Sequence, residues 1–113
     1  MGIDQLLKVR EIVESDVIVT NVPGPHANPM ADHAIAMILA FSQHVRELLD
    51  DQRARRWDGA AYAGWMLELN GSVLGLLSIG GVGRAVAQRA LAFGMQVYAV
   101  DPSPTDVPAT RRA

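Results

Sequence analysis

Between Asp4 and Glu14 apolar residues fall at Leu6, Leu7, Val9, Ile12 and Val13, which predicts a helix of about three turns. Asp16 to Val22 is a β-branched run and predicts a strand, closed by Pro23-Gly24-Pro25. A long helix is predicted from Pro29 to Arg56, with Asn28 as N-cap, Pro29 in the first helical position and Asp32 in the first turn. At about 1.5 Å per residue it would reach roughly 40 Å. Its first half, Ala34 to Phe41, is apolar all round and demands cover on most sides. Its second half is charged, with Val45, Leu48 and Leu49 as a thin apolar stripe.

The second half of the chain changes period. Trp57 to Trp65 reads as irregular, and Asn70-Gly71 as a tight turn between a short run, Met66 to Leu69, and a strand, Ser72 to Leu77. A glycine-rich turn, Ser78-Ile79-Gly80-Gly81-Val82-Gly83, leads into a helix from Val82 to Phe93. Gly94 suits a left-handed helix end, and Gln96 to Val100 forms another strand ending at Asp101-Pro102. Ser103 to Ala113 has no periodicity and reads as a loop or frayed tail.

Strand, glycine turn, helix, strand and terminal acid together make the layout of a dinucleotide-binding βαβ unit. The chemistry asks for main chain rather than side chains. A pyrophosphate must approach the helix N-terminus, where amide groups and the helix dipole receive anions. Gly80 lets the backbone come close, Gly83 lets helix and strand pack tightly, and the amides of Gly81 and Val82 would face the phosphates. Asp101, 18 residues beyond Gly83, would accept hydrogen bonds from the adenosine ribose. A carboxylate there repels a 2′-phosphate, and no arginine follows until Arg111, so the implied cofactor is NAD rather than NADP. Ser78 stands where the usual fingerprint has its first glycine. A negative φ there suits serine; a positive φ strains or reshapes the turn.

Composition sets limits on this picture. The chain has 113 residues, half of them apolar, and a net charge of −2, which is enough for one small domain without the basic patch of a nucleic-acid binder. With no cysteine, disulfides, thiol nucleophiles and cysteine-held metals are excluded, which fits a cytoplasmic protein. The N-terminus has neither the basic nor the apolar region of a signal peptide. The longest apolar run, Ala34 to Phe41, is well short of the roughly 20 residues needed to span a bilayer, so no membrane partner is expected.

Three stretches resemble the D-isomer-specific 2-hydroxyacid dehydrogenases. Leu69 to Ala87, containing Leu74-Gly75-Leu76-Leu77-Ser78-Ile79-Gly80-Gly81-Val82-Gly83-Arg84, is similar to the family's strand–glycine turn–helix signature. Ala92 to Pro102 resembles its continuation. Val19 to Gly24, followed by Met30-Ala31-Asp32-His33-Ala34, resembles the segment that crosses between domains, and Gly2-Ile3-Asp4 resembles the end of a substrate-binding loop. The resemblance implies an α/β fold: part of a Rossmann-type unit, a doubly wound parallel sheet left incomplete, with a remnant of a substrate domain. Residues 1–27 would be that remnant, and residues 28–113 the interdomain helix and first half of the NAD-binding domain. Ser78, Gly80, Gly81, Val82, Gly83 and Asp101 would bind the cofactor. In a complete enzyme a hydride would pass between the nicotinamide and a small 2-hydroxy or 2-keto acid, and members commonly pair as homodimers.

The resemblance has departures. Pro29 replaces a serine or threonine close to the nicotinamide, and Ser72 replaces a common lysine. The family's arginine, glutamate and acid/base histidine lie downstream of the segment present, so no catalytic residue is assigned and the chain alone is expected to be inactive. Two other readings stand beside this one: a non-catalytic truncated or NAD-responsive binding module, and an S-adenosylmethionine-dependent methyltransferase-like fold, which shares the glycine turn and the strand-end acid. His33 and His44, 11 residues apart on the predicted long helix, are too far apart to chelate together, and no metal is expected. His33 reads as structural, Trp57 and Trp65 as packing anchors, and Asp50 to Arg56 as a solvated or dimer-rim charge run. Few strands and bare sheet edges predict low stability and self-association.

Overall fold

Two five-residue strands lie side by side because each alternates an inward apolar residue with an outward one. In the computed structural model, which describes residues 3–22, 24–102 and 111–112, β1 is Val73–Leu77 and β2 is Gln96–Val100. They pair in parallel with Leu74 opposite Val97 and Leu76 opposite Ala99. Those four residues share the face that packs into the core. Val73, Leu77 and Val100 point the other way and are exposed. Arg111–Arg112 adds a short third strand, β3, parallel to β2, so the sheet order is β1-β2-β3. These two arginines therefore belong to the sheet rather than to a loop, because β2 offers them an open row of main-chain partners. The rest of the predicted tail, 103–110 and 113, lies outside the described residues, as do Gly2 of the predicted substrate-loop end and Pro23 of the predicted turn.

The connection between β1 and β2 is α5, Gly81–Ala92. It is small-sided. Ala87 and Ala90 pack with Ile79, Met95 and Val97 over the sheet, while Ala85 and Val86 pack against Ala31 and Ile35 of α2, Ala27–Ser42. Leu74 and Leu76 touch both clusters and join them. Across the helix pair, Arg89 donates to Asp32 at 2.7 Å.

The remaining elements are a 3₁₀ helix, Ile3–Lys8, then α1, Arg10–Val13, α3, Val45–Arg53, and α4, Gly59–Tyr62. The single helix expected over Asp4 to Glu14 is thus two short pieces. No strand forms over Asp16 to Val22. Its β-branched residues have no neighbouring strand, and Val17, Ile18 and Val22 are exposed; an isolated extended run has nothing to hold its main chain. Met66 to Leu69 likewise takes no regular structure.

The long helix is broken. His44 adopts φ 50°, ψ 39°, a left-handed conformation that histidine visits more readily than most residues, and this ends α2 and starts α3. Returning chain fills the break. Leu67 N–H donates to the Ser42 carbonyl at 2.9 Å, Gln43 Nε2 donates to the Leu67 carbonyl at 3.0 Å, and His44 Nε2 lies 3.0 Å from the Trp65 carbonyl. At the other end His26 rather than Asn28 is the N-cap, without a side-chain bond, and Asp32 lies beyond the first turn. Pro29 is tolerated in the first turn because its missing N–H would have had no intrahelical acceptor.

The arm beyond the break is held by polar contacts. Asp58 caps α4 by accepting from the Ala61 amide at 3.2 Å, so the segment read as irregular contains one helical turn. Asp51 accepts from the Tyr62 hydroxyl and from Arg56 Nε at 2.9 Å. The Tyr62 bond first, then that of Arg56, holds the Asp51 carboxyl below its ordinary value, while the same carboxylate pushes the Tyr62 phenol up.

The described fold leaves much of its surface open. Its radius of gyration is 20.0 Å, against about 13 Å for a compact chain of this length. Its accessible surface of 8909 Å² exceeds the roughly 6,000 Å² of a compact monomer of this mass.

Three outcomes follow from this architecture. Gly94 has φ +73°, and a Cβ there would lie 2.2 Å from Asn70 Oδ1. Gly94→Ala should therefore lower stability by about 1–2 kcal/mol in urea titrations. In the arm, stabilisation from Asp51 is present above its ordinary value of 3.8 and lost as pH falls through the lowered one. That from Tyr62 is present below 10.0 and lost as pH rises through the raised one. NMR titration should find the Tyr62 phenol above the ordinary tyrosine range, and Asp51→Asn should return it there. Finally, sedimentation velocity should show the isolated chain self-associating; a monomer with a sharp two-state melt would contradict this.

Candidate functional site

The end of β1 becomes the start of α5 within three residues, and the geometry of that turn is set by one close approach. A Cβ at Gly83 would lie 2.5 Å from the carbonyl oxygen of Ser78. No side chain fits there, because the obstruction is main chain. The first turn of the helix therefore sits directly over the end of the strand. Gly80 is the N-cap, with φ −62° and ψ −167°, and its carbonyl accepts from the Arg84 amide at 2.9 Å. Around Gly80 a Cβ would meet nothing closer than the Ser78 Oγ at 3.9 Å, which leaves open space over the turn. The amides of Gly81, Val82 and Gly83 open the helix and have no intrahelical acceptors, so they can receive an anion.

Ser78 takes φ 82°. The turn thus demands the positive φ that glycine adopts freely, and serine holds it at a strain of about 1 kcal/mol. Its amide continues the strand pairing by donating to the Val100 carbonyl at 2.8 Å. Its hydroxyl donates to Oδ2 of Asp101 at 3.1 Å, and the Ile79 amide donates to the same oxygen at 2.7 Å. The acid at the end of β2 is therefore drawn across to the turn at the end of β1. Arg84 reaches back from α5, its Nε donating to the Ile79 carbonyl at 3.1 Å.

The structure thus brings together all six residues singled out in the sequence: Ser78, Gly80, Gly81, Val82, Gly83 and Asp101. It adds three that pattern reading missed. Ala27, at the start of α2, lies 3.8 Å from where a Gly81 Cβ would be, so two helix starts converge beside the turn. Arg84 braces the turn, and Arg89 ties α5 to Asp32 and, more weakly, to Asn28 at 3.5 Å. A basic residue on the helix just after the glycines was the available signal for the first of these arginines. The bond between Ser78 and Asp101 had none, because their separation of 23 residues becomes contact only through the strand pairing.

The other candidates lie elsewhere. His33 is on α2 and His44 begins α3, so the two histidines do not share one helix. Among the described residues no group of three or more potential metal ligands gathers. No described helix is long and apolar enough to cross a membrane. Trp65 packs edge-on against Tyr62 and tilted against His44, whereas Trp57 is 93% exposed and so is not the packing anchor expected. Asp50 to Arg56 forms ion pairs on the arm surface, as expected of a solvated face. A large apolar hollow, lined by Phe41, Val45, Leu49, Leu67, Val73 and Met95, lies at the opposite end of the strands from the glycine turn.

The comparisons with known proteins agree with this layout. The sequence profile described as D-isomer specific 2-hydroxyacid dehydrogenase, NAD binding domain, matches residues 35–112. The chain is 36% identical over 106 residues to a D-3-phosphoglycerate dehydrogenase of Bacillus subtilis, covering 94% of this chain and 20% of that protein. It is 36% identical over 110 residues to a hydroxypyruvate reductase of Thermotoga maritima, covering 96% of this chain and 35% of the relative. A crystal structure of a dehydrogenase from Rhizobium meliloti superposes with a TM-score of 0.76 at 30% identity, over 91% of this chain and 35% of that one. The chain thus spans between a fifth and about a third of the length of these proteins. The methyltransferase-like alternative is set aside by the same matches. The parallel strands joined through the glycine turn and α5, together with the profile match, place this chain in the D-isomer-specific 2-hydroxyacid dehydrogenase family, as part of its NAD-binding domain.

Proposed function

We propose that this chain is the cofactor-binding part of an oxidoreductase that moves a hydride between NAD and a small 2-hydroxy or 2-keto acid. The observation that carries the reading is the placement of Asp101, whose carboxylate lies 2.7 Å from the Ile79 amide at the glycine turn that opens α5. Amides that can donate to an anion and a carboxylate that can accept from a ribose then lie at the ends of neighbouring strands. The open space over Gly80 supports the fit, since a pyrophosphate needs bare backbone there.

In this reading the amides of Gly81 and Val82 receive the pyrophosphate, Gly80 admits it, and Gly83 keeps the helix start close enough to meet it. Ser78 and Asp101 border the adenosine ribose. The negative charge of Asp101 disfavours a 2′-phosphate, which selects NAD over NADP. Bound nicotinamide cofactor supplies the hydride; the residues of this chain hold and orient it. No catalytic residue is assigned to the chain, and Pro29 offers the nicotinamide no hydroxyl.

Residues 1–27 are assigned to the end of a substrate domain and residues 28–113 to the interdomain helix and first half of the NAD-binding domain. The discontinuity at His44 divides that interdomain helix in two. A cytoplasmic homodimer belongs to this reading, formed through exposed apolar residues of α2, the arm and the outer sheet face, such as Phe41, Trp57 and Leu77.

Fluorescence titration with NADH tests the reading, and the two glycines separate binding from folding. Gly80→Ala meets no atom closer than 3.9 Å and should melt like the parent chain. Its methyl group would stand in the pyrophosphate space and should weaken NADH binding by about 1.4 kcal/mol, or roughly tenfold. Gly83→Ala, with its Cβ 2.5 Å from the Ser78 carbonyl, should instead destabilise the fold by about 1–3 kcal/mol. No NADH binding by the parent chain would overturn the proposal, and turnover of a 2-keto acid would overturn the absence of catalytic residues.

A further inference from the structure

We propose that Ser78 is a positioning residue that selects the unphosphorylated ribose, acting through the carboxylate it holds; the inference rests on the cofactor reading above. Ser78 sits at φ 82°, where glycine would lie without strain. What serine adds is a donor. Its hydroxyl and the Ile79 amide both donate to Oδ2 of Asp101, at 3.1 and 2.7 Å. Two donors on one oxygen, from successive residues of the turn, fix the rotation of the carboxylate about its own bonds. A glycine at this position would remove the hydroxyl's bond.

The arrangement changes what a ribose meets. A carboxylate already held in orientation accepts the ribose hydroxyls without losing rotamer freedom on binding. It also fixes the negative charge where a 2′-phosphate would have to enter, so the repulsion is not relieved by the acid swinging aside. Both effects act on the ribose and neither acts on the pyrophosphate. The signature of Ser78 is therefore the ratio of NADH to NADPH binding, not affinity for the nucleotide as a whole. A serine that merely shapes the turn would alter both nucleotides together.

Two variants of the full 113-residue chain separate the hydroxyl from the backbone strain. Ser78→Ala keeps the strained Cβ and loses the donor; Ser78→Gly relieves the strain and loses the same donor. Titrated with NADH and NADPH, each should bind NADH roughly fivefold more weakly relative to NADPH than the parent does, the size expected for one net hydrogen bond. In the chain without nucleotide, hydrogen exchange of the Ile79 amide should quicken in Ser78→Ala, because its acceptor is no longer held from the other side. An unchanged NADH-to-NADPH ratio in both variants, or equal weakening of the two nucleotides, overturns the role given to Ser78 while leaving the cofactor reading intact. A parent chain that binds no NADH overturns both.

Discussion

The absence of a side chain at residue 83 is the constraint on which the rest of the structure depends. With 2.5 Å between the Ser78 carbonyl oxygen and the position of a Cβ, α5 can start directly above the end of β1. That placement lets Ala87 and Ala90 lie against the sheet and Ala85 and Val86 lie against α2. Alanines at these positions continue along the helix what Gly83 begins at its end, a close approach permitted by small residues. A bulkier helix would stand off from β1 and carry its opening amides away from the strand ends. Packing and ligand chemistry thus draw on the same economy of side-chain volume, and the site is formed mainly of main chain.

Asp101 completes this arrangement from the neighbouring strand. Parallel pairing brings Val100 level with Leu77, so the residue after β2 arrives beside the residue after β1. Its carboxylate then satisfies the Ile79 amide, which has left the strand ladder. These hydrogen bonds explain why an acid is useful here to the protein itself.

Much of this was legible in the sequence because it depends on local signals. The runs between Asn70-Gly71 and the glycine turn, and between Gly94 and Asp101-Pro102, predicted β1 and β2, with β1 observed one residue shorter, and the glycine turn predicted the start of α5. Gly94 was read as a left-handed helix end and has φ +73°. Features that depend on distant partners were not legible. Asp16 to Val22 has the composition of a strand but meets no edge. Arg111 and Arg112 lack the composition and do meet one. The helical pattern runs unbroken through His44, since nothing nearby announces that Trp65 and Leu67 will return to occupy its main chain. Ser78 showed the opposite case: the sequence exposed the oddity, while only the hydrogen bond to Asp101 gave it a reason.

The left-handed residue at His44 carries a consequence for how the molecule opens. An uninterrupted α-helix transmits order along its length, because each turn templates the next. Here the ladder is interrupted, and α3 is joined to α2 through the strap of residues 65–67 rather than through continuous helix. The strap contributes few apolar contacts and several solvent-exposed polar ones. The protein is consequently built in two tiers: a sheet, α5 and α2 sharing joined cores, and an arm that can detach as a separate cooperative unit at lower free energy. The hydrogen bonds that Ser78, Ile79 and Arg84 donate at the glycine turn are made with Asp101, Val100 and Ile79, all outside the arm.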